Sequence, residues 1–383
     1  MNDRDIIDQM HVVVIGAEHH NTLGVIRSLG EACIPKENIE VLLVGDNIFP
    51  KNIISTSRYI SAEAVKTVSD REDIVPWLEN ISDERTKKIV ICCSDVAAYE
   101  VIRNQEQLKK YFFIPTIAAD VYQLMSKKVQ DEYALKAGMQ VPEGKEVDLT
   151  AFAGWTGFPC IIKPLRSIED ESKGDIRVFK NSEELRKSIS SIGTSHVQIQ
   201  TFIDKAMEYQ LIGCSLEAGR KIIIPGYTRI IRSQPETNTG YLSYSPIDEL
   251  QYDQQAVKKF IQSIGYSGLF SMEFLRDKEG KDYFLEINMR NDGNAYCVQS
   301  AGVNLPYVWC YYQMFQKLPP VSLSVEDSVY FMPVFYDYRI GIKSVGLFSW
   351  LKQFHRAESH AVYNSNDMRP FWTKISNHFL HRG

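Results

Sequence analysis

The sequence predicts a mixed fold: an N-terminal α/β unit with a doubly wound parallel sheet, followed by an α+β core. Three observations predict it. The apolar runs at 11–15, 41–44 and 89–93 are continuous rather than alternating, as suits strands buried on both faces of a parallel sheet. From Cys160 to Asn288 short β-rich runs follow one another closely, with only two helical stretches between them. The length of 383 residues exceeds what one hydrophobic core usually serves, so two or three subdomains are expected.

Taken in order, HVVVI (11–15) ends in Gly16, a polar stretch leads into a helical segment at 23–29, and VLLV (41–44) ends in Gly45. The third run stops at Ser94 and Asp95, so residues 1–118 read as the doubly wound unit. His19 and His20 follow its first strand, where such units bind ligands, although solvated loop histidines satisfy the sequence equally. Met125, Val129 and Tyr133 recur every four residues on a helix ending at Gly138, and Val141-Pro142 turns the chain into an extended segment. Strands are expected at 161–162, 176–179, 197–199, 211–214, 222–224, 271–274 and 283–287, with helices near 182–192 and 254–264. Near the C-terminus Leu347, Trp350, Leu351 and Phe354 fall on one helical face. That face is expected to pack on the main body; the alternative is a membrane-surface contact beside Lys343, Lys352 and Arg356.

At 44% hydrophobic and 24% charged residues, with a formal net charge of −5, the composition is that of a globular enzyme and offers no basic field for nucleic acid. No apolar run approaches the roughly 20 residues of a membrane-spanning helix, and the N-terminus MNDRDIID is too polar for a signal peptide. A cytoplasmic protein is expected. The seven cysteines contain no C-x-x-C pair, which points to reduced, buried thiols.

The most specific chemistry lies in Ser271-Met-Glu-Phe274 and Phe284-Leu-Glu-Ile-Asn-Met-Arg290, two expected antiparallel strands joined by the turn 277–280. Alternation puts Glu286, Asn288 and Arg290 on one face. Glu273 is expected across the hairpin, so two carboxylates and an amide oxygen would converge as hard ligands for Mg2+. The plain alternative is a solvated charged hairpin, which the apolar Phe274, Leu285 and Ile287 weaken. Lys163 ends the strand PCIIKP and could hold an ATP phosphate as a point charge, or simply point into water. Lys127 precedes Gly138 by 11 positions, but Lys128 stands beside it.

Together these pieces resemble the ATP-grasp superfamily over about residues 119–310: a lysine before A-G-x-x-V-P, then F-P-x-I-I-K-P, a hinge strand, E-F, and L-E-I-N-x-R. The resemblance implies an ATP-grasp core at 119–312 with a lid at roughly 147–203, and a C-terminal extension at 313–383 packed on it. It implies ATP with Mg2+, Mn2+ being an acceptable substitute. Lys127 and Lys163 would contact the phosphates, the latter on the adenine side. Gln200, Thr201, Phe202 and Ile203 would form the hinge that reads adenine through its backbone, and Glu208 would accept the ribose hydroxyls. Glu273, Glu286 and Asn288 fall on the metal ligands, and Arg290 on the arginine that steadies the transferred phosphoryl group. The phosphate-covering loop departs from the family: LRSIEDESKGD (165–175) has one glycine and four acidic residues, leaving Ser172, Lys173 and Gly174 as candidates.

The segments at 16–30, Ser57-Arg58-Tyr59, 346–351 and 366–370 resemble the D-aspartate ligase-like branch. That resemblance implies a ligase joining a carboxylate, through an acyl phosphate, to an amine or amino acid, in cell-envelope or small-peptide biosynthesis. A carboxylase, a phosphotransferase and a nonenzymatic nucleotide sensor would use the same nucleotide site. Arg229 and Arg232, which alternation sends to opposite faces, satisfy the sequence equally as two surface arginines; the family resemblance implies Arg232, before the 234–235 turn, as the catalytic cation. A homodimer is the default assembly.

Overall fold

The computed structural model describes the chain except residues 1–5, 47, 50, 84, 150–153, 165–176, 190–191, 193–195, 235–236 and 381–383, and without the side chains at 163–164, 234, 237–238 and 378–380. Three sheets organise it.

The N-terminal sheet has five parallel strands in the order Val65–Val68, Ile39–Val44, Val12–Gly16, Lys88–Cys92 and Phe112–Phe113. Every residue of Val12–Gly16 is buried, which is the physical reason the run is continuous rather than alternating: helices cover both faces. The strand order reverses beside Val12–Gly16, so the loops leaving it and Lys88–Cys92 diverge and open a crevice at their carboxyl ends.

The central sheet runs Asp282–Asn288, Gly268–Asp277, Lys205–Leu216, Gly226–Gln234, Thr237–Pro246, Val329–Met332 and Ser359–His360, with Lys221–Ile223 added to the third strand. Its pairs are antiparallel except the last. The third sheet is smaller and fully antiparallel, in the order Gly144–Asp148, His196–Thr201, Cys160–Pro164 and Arg177–Phe179. It encloses its own apolar cluster around Ile162, Leu185, Val197 and Ile199. The expected β-rich run thus divides between two sheets.

Two helical expectations are adjusted. The helix before Gly138 begins at Lys127 and ends at Gly138 in the left-handed conformation (φ 101°), which glycine adopts without a Cβ clash; Met125 belongs to the end of the preceding turn at Val121–Leu124. The C-terminal face packs only in part. Trp350 is buried, whereas Leu347 and Leu351 are 49% and 38% exposed, because the helix Leu347–Arg356 folds back on Val334–Val345 rather than into the main core. Gly341 permits that turn-back: a Cβ there would meet Trp350 Cδ1 at 2.3 Å.

All seven cysteines are free, and all but Cys33 are buried. Burial pushes the Cys160 thiol up to about 11, which keeps it protonated and inert. No described helix is long and apolar enough to cross a membrane.

Candidate active site

Strand register assembles the central constellation. Gln210, Glu273 and Glu286 lie side by side across three strands, and Ser271 faces Asn288 one step along; directly opposed side chains in such pairs touch. Glu273 is 5% exposed, and one of its oxygens accepts from Gln210 Nε2 (3.1 Å) and Asn288 Nδ2 (3.1 Å). Two amide donors to one buried oxygen supply hydrogen bonds that a carboxylate away from water would otherwise lack.

The helix Lys127–Ala137 is docked on this hairpin by Gln130, which accepts from the Ile287 N–H (3.0 Å) and donates to the Leu124 carbonyl (2.8 Å). Docking sets Lys127, one turn earlier, 3.6 Å from Glu286. A lysine in the first turn opposes the helix dipole, and no acidic residue shares that turn. Glu286 supplies the compensation from outside the helix, so a cation already stands against the carboxylate row.

Arg290 lies past the end of its strand and is held by the N-terminal unit. Its guanidinium donates to Asp95 (2.8 and 3.3 Å), to the Asn291 carbonyl (3.2 Å) and to Asn288 Oδ1 (3.3 Å), with Asp292 at 3.6 Å. Burial alone would depress this guanidinium, but Asp95 and Asp292, followed by Glu273, carry it above its ordinary value. The sequence reading missed Asp95, noting it only as the residue where a strand stops. Its signal was an acid at the carboxyl end of a switch-point strand.

The same crevice is laced by Asn21, whose Nδ2 donates to the Cys93 and Asn291 carbonyls (2.8 and 2.7 Å), while Asn291 donates back to Asn21 and, through its backbone, to Cys92. His19 caps the helix His20–Glu31, and its ring lies 3.8 Å from that of His20, with the Tyr336 ring at 5.8 Å from His20. His20 is buried, with no partner at hydrogen-bonding geometry for either ring nitrogen and the Gly293 backbone beside it. Burial first, then His19 and Lys374, push it well below the usual histidine range, so the ring is neutral near pH 7. A Cβ at Gly293 would approach His20 Nε2 to 3.3 Å. His20 is thus buried beside Gly293, three residues past Arg290, whereas His19 is partly exposed.

The nucleotide-side candidates are spread along the small sheet. Lys163 pairs in register with Gln198, and Gln200 is buried opposite Gly144. The Thr201 and Phe202 amides are engaged within the protein, by the Glu143 (2.8 Å) and Pro159 (2.9 Å) carbonyls. Glu208 pairs with Lys205 on the strand that leaves Ile203 toward the central sheet. Ser172 and Gly174 lie outside the described residues.

Arg232 is placed elsewhere. A register shift follows Ile230, and the Arg232 guanidinium grips Asp337 (2.8 and 2.6 Å) and Gln353 (3.0 and 3.1 Å), lying 5.0 Å over the Tyr241 ring. It therefore ties the helical hairpin 334–356 to the central sheet; Arg229 is exposed.

A divalent cation fits the donor set. Glu273, Glu286 and the Asn288 amide oxygen are hard oxygen donors on adjoining strands, and the Lys127 ammonium faces Glu286 as a positive charge; the Asn288 oxygen here accepts from Arg290 and its Nδ2 donates to Glu273, so the amide has to turn to join the set. Three protein oxygens leave the remaining positions of an octahedral Mg2+ to phosphate and water.

No protein-family model matches this chain. It is 25% identical over 242 residues to N5-carboxyaminoimidazole ribonucleotide synthase of Staphylococcus haemolyticus, a match covering 61% of this chain and 58% of that enzyme. Among solved structures it is similar to the biotin carboxylase domain of Hydrogenobacter thermophilus 2-oxoglutarate carboxylase, a structure with MgADP and bicarbonate (TM-score 0.61, 17% identity, 84% and 74% of the two chains). It is also similar to an L-amino acid ligase of Bacillus licheniformis (TM-score 0.57, 13% identity, 80% and 75%).

Proposed function

This chain has the ATP-grasp fold, and we propose that it is an ATP-dependent carboxylate–amine ligase acting in the cytoplasm on an amino acid, in the manner of the D-aspartate ligase-like branch. The observation that carries this reading is the row Gln210–Glu273–Glu286 with Lys127 set against it and Arg290 clamped beside it by Asp95. It combines oxygen donors for a cation, an ammonium and a fixed guanidinium on adjoining elements, the set that phosphoryl transfer requires.

In this reading Mg2+ would sit on Glu273, Glu286 and Asn288 and lower the charge on the ATP phosphates. Lys127 and Lys163 hold those phosphates, the backbone groups at 200–203 other than the engaged Thr201 and Phe202 amides read adenine, and Glu208 takes the ribose. A carboxylate oxygen attacks the γ-phosphorus while the bond to the β-phosphate oxygen breaks, giving ADP and an acyl phosphate. The amine nitrogen then attacks the acyl carbon, phosphate leaves, and the amine loses its proton. Arg290, fixed before substrate arrives, faces the oxygens that gain charge in both steps. Residues 147–203 act as a lid whose closure keeps water from the acyl phosphate.

The test mixes the protein with Mg-ATP and pools of amino acids and carboxylates and follows ADP and phosphate. Release should require both substrates, and Glu286→Gln and Lys163→Ala should each abolish it while leaving the unfolding curve unchanged. Full turnover in either variant would refute the site, and AMP with pyrophosphate would refute the acyl phosphate. The carboxylases among the similar proteins support a second reading, in which bicarbonate is the carboxylate. Release that needs bicarbonate and an amine, but no organic acid, selects it.

A further inference from the structure

The hairpin of helices Val334–Val345 and Leu347–Arg356 carries a surface that this chemistry does not use. Leu347, Phe348 and Leu351 are 49%, 87% and 38% exposed, and Phe348 is the most exposed large apolar side chain among the described residues. At 3.6 residues per turn these three share a sector roughly 100° wide, next to the buried edge formed by Trp350. The surrounding charge is one-sided. From Tyr338 to Ala357 the chain carries Arg339, Lys343, Lys352 and Arg356 and no acidic residue, in a protein of net charge −5; all four cations are exposed, and the exposed Glu358 follows only at the far end, beside Arg356.

We propose that this face docks on an anionic lipid surface, with Phe348, Leu347 and Leu351 inserted at the level of the acyl boundary and the four cations against the headgroups. Helices with an apolar sector and a Lys/Arg-rich flank partition into such interfaces. The charge decides against a second copy of the chain: a two-fold contact through this patch would press four cations onto the same four. Size decides likewise, since a stable protein interface needs about 800 Å2 from each partner, whereas interfacial insertion accumulates from a few side chains. The face is preformed, because Arg232 and Gln353 lock its two helices to the central sheet and Trp350 Nε1 donates to Asp337 (2.9 Å). The other end of the hairpin reaches the cleft through Tyr336, whose ring faces His19 and His20. Docking would thus hold the cleft close to the lipid surface.

The experiment is flotation of the full chain with vesicles of phosphatidylcholine containing phosphatidylglycerol, and with phosphatidylcholine alone, at low and high salt. Capture is expected on the anionic vesicles only, weakening with salt. Phe348→Ser should lower it about tenfold and Lys343→Gln with Lys352→Gln about thirtyfold. These side chains are exposed, so both variants should keep the parent unfolding curve. Equal capture on both vesicle types, no capture, or undiminished capture of the variants overturns the proposal. Dimers in sedimentation velocity that Phe348→Ser dissolves, without vesicle capture, assign the patch to a second copy and overturn it too. The readout is lipid binding rather than turnover, so its failure leaves the ligase reading untouched.

Discussion

Two residues set conditions that their neighbours must meet. Asp95 has no place in the hairpin, yet it fixes the guanidinium plane of Arg290 with two contacts. A bidentate partner supplies orientation as well as charge. Asp95→Asn should therefore lower kcat for ADP release by about 10- to 100-fold while leaving KM for ATP nearly unchanged; a rise in KM alone would mean that Asp95 serves nucleotide binding. His360 imposes a pH dependence. It lies against Phe354 and Tyr363, and burial lowers its pKa from 6.5 to about 4. The unfolded state then binds the extra proton first, so stability from this group is fully present above about pH 6.5 and is lost as pH falls through about 4, about 3 kcal/mol in all. In urea titrations at neutral and acidic pH, His360→Phe should lose less stability on acidification than the parent chain, and equal losses would remove His360 as the cause.

At the scale of elements, what was legible followed from periodicity and what was not followed from long-range partners. The hairpin was readable because period-two alternation and a glycine turn are local, and Glu273 does face Glu286. Arg290 fell outside that logic: its strand ends at Asn288, and its position comes from Asp95, 195 residues away. The helix at 347–356 shows the converse, since its apolar face was evident but not the sharing of that face between Trp350 inside and Leu347 and Leu351 outside. Arg232 belongs here as well. Asp337 is wholly buried against it, so Arg232→Met takes the cation away from a buried carboxylate that Trp350 still hydrogen-bonds and should cost about 3–5 kcal/mol in urea unfolding, whereas Arg232→Met with Asp337→Asn should recover part of that. If Arg232 anchors the hairpin, the double variant retains ligase turnover at temperatures where it is folded. If turnover vanishes in the folded double variant, Arg232 acts on substrate.

At the scale of the molecule, the two segments that looked least informative in the sequence meet each other. Ser57-Arg58 and Asp367 close around Arg27: the Asp367 carboxylate accepts from Arg27 Nε (3.0 Å), Ser57 Oγ (2.8 Å) and the Arg58 amide (2.9 Å), and the Arg27 and Asp367 side chains are both 0% exposed. Motifs 309 to 340 residues apart carry no local signature of contact, which is why the sequence showed their presence but not their purpose. Arg27 also donates to the Val362 and Asp367 carbonyls (2.8 and 3.1 Å), so the C-terminal segment is fastened to the helix that begins at the switch-point crevice. Removing one partner of a buried pair is far costlier than the pair is stabilising. Asp367→Ala should therefore lose about 3–5 kcal/mol and uncouple the C-terminal helices from the N-terminal sheet. The parent should unfold in one transition by far-UV circular dichroism and by tryptophan fluorescence, to which Trp350 and Trp372 contribute. In the variant the fluorescence change should come at lower urea, since coincident transitions are the mark of a single cooperative unit. Coincidence in Asp367→Ala would mean that Val329–Met332 and Ser359–His360, through their places in the central sheet, couple the two ends without help from Arg27.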